Sequence, residues 1–378
     1  MSDIGHASLA RGLDSTGIWP LERSSDLFEL RYGKALVESS RVAGGIPVYG
    51  TNGQTGWHNE AMFDGPGIIV GRKGMGNLGV KWADRDYWVI DTAYSLQPRS
   101  GVDLKFAYYL VNHVGVNHLK HGTSNPSLTR EAFGAQYFPV PPLAEQQSIA
   151  EVLGALDAKI AANLALATTA DLYASTVLLG SLSTDRVRLD SIARIIMGSS
   201  PKGETLNEFG DGMPFYQGVR DYGFRSPARR VFTTSPVRSA DAGDILVSVR
   251  APVGDVNVAN EALCIGRGIA AVRSTTGRQA TLFHQLKAER DAWEPYEAEG
   301  TVFGSINRDQ LHGIQLRTVD PKLAEVVEQV LTSLESSIAA TLAENDTLAT
   351  TRDALLPQLM SGKLRVRDAE AMAAKAGA

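Results

Sequence analysis

The chain repeats itself. Val152, Leu153, Leu156, Ile160, Ala161, Ala162, Leu164, Ala165 and Thr169 recur as Val330, Leu331, Leu334, Ile338, Ala339, Ala340, Leu342, Ala343 and Thr347, each pair 178 residues apart (330 − 152 = 178). Roughly one or two such identities are expected by chance in a window this short. The same offset pairs Gly122, Thr123 and Ser127 with Gly300, Thr301 and Ser305. Upstream the register drifts but the order holds: Gly33 with Gly198, Pro47 and Tyr49 with Pro214 and Tyr216, Ile68 and Val70 with Ile245 and Val247, Gly79 with Gly254, and Ile90 with Ile265. Two copies of one unit account for nearly all 378 residues, so the chain must build the same structure twice.

Each copy opens with short β-like runs separated by Gly, Asn and Pro turns: Ile46 to Tyr49, Gly67 to Gly71 and Tyr87 to Leu96, then Met213 to Tyr216, Asp244 to Val249 and Leu263 to Val272. Each closes in a long helical stretch. After Pro141 and Pro142, Ile149, Val152, Leu153, Leu156, Ile160 and Leu164 make one apolar stripe, and Val327, Val330, Leu331, Leu334, Ile338 and Leu342 repeat it. Forty residues of helix span about 60 Å, and a single seam of that length calls for a partner helix. The nearest partner is the other copy, which predicts an antiparallel coiled coil. The expected fold is α+β: two α/β heads joined by two long helices in a pseudo-twofold repeat. The boundaries are a tail over 1–18, a first head over 19–142, helix one over 143–184, a second head over 185–319, helix two over 320–362, and a terminal segment over 363–378 that frays beyond Asp368 or returns to the first head.

Composition narrows the class. A single cysteine, Cys264, forms no internal disulfide, and no run approaches 18 apolar residues, so a soluble cytoplasmic protein with no membrane partner is expected. The net charge of −5 argues against a uniformly basic surface, not against a local one. Between Arg220 and Arg238 stand five arginines (220, 225, 229, 230 and 238) and one acid, Asp221, with Tyr222 and Phe224 interleaved. Arginine reads guanine, and Asn or Gln reads adenine, through paired hydrogen bonds. Asn52, Gln54, Arg72, Gln217, Arg220, Arg225 and Arg250 are therefore base-reading candidates. Lys73, Lys81, Arg229 and Arg230 suit phosphate. Ser124 and Asn125, and Ser305, Asn307 and Arg308, offer donors at equivalent places in the repeat. Tyr222 completes the set.

Catalytic patterns are weak. Gly74-Met-Gly-Asn-Leu-Gly79 fits G-x-G-x-x-G, but strand-like residues follow instead of a helix, so it reads as a glycine hairpin. Asp103-Leu-Lys105 has no convincing acidic partner upstream for a nuclease metal site. His113, His118 and His121 lack a fourth ligand and read as surface or core histidines.

Other segments carry a family resemblance. Ala135-Gln-Tyr-Phe-Pro-Val-Pro-Pro-Leu-Ala-Glu-Gln-Gln-Ser-Ile-Ala150, running into an Ala/Leu helix, resembles the junction of recognition domain and spacer helix in specificity subunits of type I restriction-modification systems. Leu355-Leu-Pro-Gln-Leu-Met-Ser-Gly-Lys-Leu-Arg-Val366 resembles the end of their second spacer, and Tyr49 to Gly56, Ile69 to Gly74 and Asp91-Thr-Ala93 resemble their recognition-domain pattern. The second junction, Thr318 to Glu325, lacks the Pro-Pro and Glu-Gln pair. The resemblance implies a non-catalytic reader of double-stranded DNA whose heads each read half of a bipartite, asymmetric site. It implies helices that set the spacing and dock two methyltransferase (modification) subunits, with room for restriction/translocase subunits. It implies no cofactor in this chain, with S-adenosylmethionine, ATP and Mg in the partners. The competing reading is a cytoplasmic two-headed scaffold whose heads bind proteins.

Overall fold

The computed structural model describes residues 19–297 and 304–378. The 1–18 tail, and Gly300 and Thr301 of the repeat, lie outside them. The fold is α+β, and the chain divides into two compact units: residues up to 162 with 344–378, and residues 163–343. Five helices of ten residues or more are described: α1 (Leu104–Val114), α2 (Leu143–Leu179), α3 (Gln279–Ala288), α4 (Ala324–Met360) and α5 (Val366–Ala376).

In unit one a four-stranded antiparallel sheet runs Phe28–Tyr32, Ala93–Pro98, Gly67–Gly71, Val80–Ala83. Gly67–Gly71 is buried on both faces. Ile68 and Val70 face Phe106 and Leu110 of α1, and Ile69 faces Tyr49, Tyr87 and Val89. A smaller sheet pairs Ile46–Gly50 antiparallel to Gly53–His58 and parallel to Trp88–Val89. Leu21–Arg23 pairs with Tyr137–Pro139 and closes the head just before α2. The first part of α2 then packs against the last part of α4, with Ile149, Val152, Leu153 and Leu156 meeting Leu348, Leu355 and Leu359 in one core. Asp157 with Arg352 (2.8 Å), and the Ile160 carbonyl with Asn345 (3.1 Å), fix the antiparallel direction.

Unit two repeats the plan. Its four-stranded sheet runs Ala193–Met197, Ile269–Ser274, Ile245–Ser248, Val256–Val258, the same order and all antiparallel. Ile245 and Val247 face Leu282, Phe283 and Leu286 of α3, while Leu246 faces Tyr216, Leu263 and Ile265. Met213–Tyr216 runs parallel to Leu263–Ile265, and Leu182–Arg188 pairs with Gln315–Val319. Ala174 and Leu178 of α2 meet Ala324, Val327 and Leu331 of α4.

The structure also departs from the sequence reading. The runs Tyr87 to Leu96 and Leu263 to Val272 each split into two strands belonging to different sheets, turning at Ile90–Thr92 and Gly266–Gly268. That turn explains the pairing of Gly33 with Gly198. A Cβ at Gly33 would lie 2.1 Å from the Ile90 carbonyl oxygen, and one at Gly198 would lie 2.1 Å from the Gly266 carbonyl oxygen. Two repeat pairs shift by one. Tyr49 pairs with Val89 where Tyr216 pairs with Ile265, so Val89, not Ile90, matches Ile265. Val80 and Val256 sit opposite Val70 and Val247, so Gly79 matches Asp255 rather than Gly254. Helix one stops at Leu179 rather than 184, because Leu182–Arg188 is drawn into its strand pair. The alanine-rich tail beyond Asp368 is helical, not frayed: Ala369 and Ala373 of α5 are buried in the unit-one core. No helix among the described residues is long and apolar enough to cross a membrane.

Candidate nucleic-acid interface

Both heads gather their candidate loops at one end of the four-stranded sheet by the same stitching. In unit one the chain leaving Gly71 meets the loop before the short helix Arg130–Gly134: Lys73 bridges Ser127, Leu128 N–H donates to the Arg72 carbonyl (2.8 Å), and Gly74 N–H donates to the Pro126 carbonyl (3.1 Å). In unit two Arg250 bridges Ser305, Ile306 N–H donates to the Val249 carbonyl (3.0 Å), and Ala251 N–H donates to the Gly304 carbonyl (3.0 Å). Lys73 and Arg250 are thus the same position in the two copies, a match the sequence comparison missed. The Thr51 hydroxyl donates to the carbonyls of Lys73 (2.7 Å) and Thr92 (2.9 Å), bringing the Asn52 turn to the same rim. The Lys81 stem runs beside Gly53. Asn52, Lys81, Ser124 and Asn125 are exposed there. Gln54 is exposed too, and its amide donates to the Gly56 carbonyl (3.3 Å).

Arg72 is half-buried and held. Its Nε and Nη2 donate to the Asp91 carbonyl at 2.9 and 2.6 Å, and the guanidinium lies 5.2 Å from the Tyr32 ring and 5.7 Å from the Tyr94 ring. Burial and the neighbouring Tyr32 push the Tyr94 phenol up to about 12. Lys73 pairs with the Asp91 carboxylate at 3.3 Å. Arg130, on the same short helix, stacks on Tyr32 at 4.1 Å. Tyr32 and Arg130 join the candidate rim, the sequence reading passed them over, and no motif marks them.

In unit two Gln217 is exposed and its carbonyl oxygen accepts from the Ser200 hydroxyl (2.7 Å), while Arg220, Arg250, Ser305 and Arg308 are exposed. Asn307 is spent locally as a helix cap, accepting from Gln310 N–H (3.0 Å). The Arg220 to Arg238 run is far less basic than its count suggests. Arg229 makes two 2.6 Å bonds to Glu261, and Arg230 makes bonds of 2.7 and 2.9 Å to Asp221. Tyr222 buries its hydroxyl, and burial pushes that phenol up.

Arg225 is the clearest correction, because it is inside. Its guanidinium meets Asp171 of α2 at 2.7 Å and Glu335 of α4 at 3.3 Å, and it stacks on Phe283 at 4.7 Å. Lys287 also bonds Asp171, and His284 bonds Glu335 at 2.8 Å. Burial works to raise the Asp171 carboxyl, but hydrogen bonds from Lys287 and Arg225 overcome it and hold it below the usual range. Asp171, His284 and Glu335 have metal-ligand spacing. Both carboxylates are already engaged by cations, so the group reads as an internal ion network fastening head to helices.

The weak catalytic patterns resolve structurally. Gly79 leads into the strand Val80–Ala83. Asp103 caps α1, accepting from Phe106 N–H (2.8 Å), and Lys105 lies 3.9 Å from the Trp82 ring. His113 is largely buried, which lowers its pKa.

Residues 19–167 match the family described as the type I restriction modification DNA specificity domain. That match spans the first head and the start of α2. It is 26% identical over 298 residues to a putative type I restriction enzyme specificity subunit of Methanocaldococcus jannaschii, covering 71% of this chain and 70% of the relative. A putative specificity subunit of Haemophilus influenzae is 24% identical over 128 residues, 33% of each chain. The crystal structure of a type I restriction-modification system S subunit from M. genitalium has the same fold, with a TM-score of 0.61 at 18% identity over 93% of this chain and 98% of that one. The family match ends at residue 167, and the second head repeats the strand order of the first.

Proposed function

We infer that this chain is the non-catalytic DNA-specificity subunit of a type I complex, in which each head reads one half of a bipartite, asymmetric site. The observation that carries the reading is the duplicated rim, Lys73 against Ser127 and Arg250 against Ser305, on a chain whose first head matches the specificity-domain family. Duplicated backbone with unlike side chains suits two different half-sites: Arg72 of the first rim corresponds to buried Val249 in the second. The base-reading set is Asn52, Gln54, Arg72, Gln217, Arg220 and Arg250, with Lys73, Lys81, Ser124, Asn125, Ser305 and Arg308 on phosphate or sugar. Arg225 takes no part, and Arg229 and Arg230 join only by exchanging carboxylate for phosphate.

The long helices set the interval between half-sites and receive two methyltransferase subunits, which supply S-adenosylmethionine chemistry on adenine. A restriction subunit, where one joins, brings ATP and Mg. Genome-wide mapping of methylated adenines in cells carrying the chain with its methyltransferase tests this. Two short fixed blocks around an interval of free sequence are expected, and methylation without such a motif would overturn the reading.

A further inference from the structure

In unit two, Arg194 on the outer strand Ala193–Met197, Arg238 just before Ser239–Ala240, and Arg308 at the start of the short helix Arg308–His312 line one cleft of about 230 Å³ together with Met197. All three arginines are exposed, and among the described residues none has a carboxylate within ion-pairing distance. The nearby acids are committed elsewhere: Asp241 and Asp244, which share a neighbouring cleft with Arg194, each bond Arg273 at 2.6 Å. Three like charges converging on a concavity are relieved by an anion, and guanidinium forks match phosphate oxygens in pairs.

At the matching place unit one carries different charges. Glu29 stands opposite Gln97 where Arg194 stands opposite Arg273, a reversal of charge at one register position. Glu29 pairs with Arg31 at 3.2 Å, and Arg130, the counterpart of Arg308, is stacked on Tyr32. The cleft in unit two also adjoins the rim. Arg308 follows Ser305 by three residues, and the Arg238 carbonyl accepts from Ile265 N–H (2.9 Å) at the strand end preceding the Gly266–Gly268 turn.

We propose that the Arg194, Arg238 and Arg308 cleft seats a phosphodiester group of the DNA backbone beside the base-reading rim of head two, giving that head a grip that head one lacks. The proposal rests on the DNA reading above and deepens it.

The test uses the full chain and the triple variant Arg194→Gln, Arg238→Gln, Arg308→Gln, with Arg278→Gln, Arg290→Gln as a control that removes cations outside the cleft. Calorimetric titration with inorganic pyrophosphate reads the seat itself, and the triple variant should bind about tenfold more weakly. Anisotropy of a mixed-sequence duplex of about 40 base pairs, followed across salt, reads the role on DNA. Each lost phosphate contact lowers the slope of log affinity against log salt by about 0.9, so a fall of about 2 to 3 is expected for the triple variant and less than about 1 for the control. An unchanged slope in the triple variant, or an equal fall in the control, overturns the seat while leaving DNA binding intact. Pyrophosphate bound through these arginines by a wild-type chain that binds no duplex overturns DNA as the ligand and the DNA reading with it. Because the three side chains are exposed, all variants should keep the wild-type melting temperature, and circular dichroism checks this.

Discussion

The two units fasten head to helix at the same place with different chemistry. In unit one the Tyr109 hydroxyl of α1 donates to Asp157 of α2 at 2.6 Å, and Arg352 of α4 completes a small triad whose two charged members are partly exposed. In unit two the matching position on α3 is His284, and it meets Glu335, which lies 178 residues beyond Asp157 (335 − 157 = 178). Around that pair unit two adds buried Arg225 and Asp171, with partly exposed Lys287 also bonding Asp171. A second fastening diverges the same way. Gln146, buried in unit one, accepts from Asp103 N–H (2.9 Å) and donates to the Pro141 carbonyl (2.9 Å). Ala324 stands 178 residues on (324 − 146 = 178), and Glu328 replaces the tie one turn later, accepting from Ala280 and Thr281 N–H at 3.1 and 2.9 Å. The missing Glu-Gln pair at the second junction is therefore a change of fastening, and the helix survives it. Duplication preserved where head meets helix and let the bonding groups drift.

The largest expected effect is on that contrast. Arg225→Ala leaves Asp171 and Glu335 short of a cation in a buried site and should cost unit two about 3 to 5 kcal/mol, whereas Arg352→Ala, at a more exposed pair, should cost unit one about 1 kcal/mol or less. Hydrogen exchange resolved by unit reads both, and equal losses would erase the distinction between the joints.

Acid should sharpen the contrast next. Asp171 has a folded-state pKa below its unfolded value, so its contribution is fully present above the ordinary carboxylate range and is lost as pH falls through the depressed folded value. Urea unfolding from pH 7 down to about 3 should show unit two weakening in that window, and Asp171→Asn should flatten the acid limb.

On the rims, Arg250→Ala should cost about 1 to 3 kcal/mol of discrimination and relax one half-site while the other stays intact, as read in the methylation map. Relaxation of both half-sites would contradict the division of labour between heads. Tyr109→Phe, which removes one hydrogen bond to a carboxylate, should destabilise unit one by about 1.5 kcal/mol in the same exchange measurement.

The periodic and repeated parts of this fold were legible because they are local or duplicated. Gly67–Gly71 and Met213–Tyr216 stand where their apolar runs ended, and the helical seam was readable from spacings of three and four. What escaped the sequence was long-range. Nothing near Arg225 announces Asp171, 54 residues away, and nothing near Arg229 announces Glu261, 32 residues away, so a charge count over the run overstated its basicity. The split of Leu263 to Val272 between two sheets was marked in the sequence by Gly266-Arg267-Gly268, a turn signal overshadowed by the apolar strands on either side. The helical tail escaped because alanine alone sets no stripe, and its burial depends on a core most of whose residues lie more than 200 positions earlier.

Unit two is made of one uninterrupted stretch, 163–343, whereas unit one is assembled from residues before 163 and after 343. On the ribosome this inverts the usual order, in which the earlier domain finishes first. Ile149, Val152, Leu153 and Leu156 emerge early, but their partners Leu348, Leu355 and Leu359 are not yet made. At about 5 to 20 residues per second the first half of the seam waits roughly 10 to 40 seconds for its cover. The head synthesised first is the one completed last, and its open helix is the stretch of the nascent chain most in need of protection.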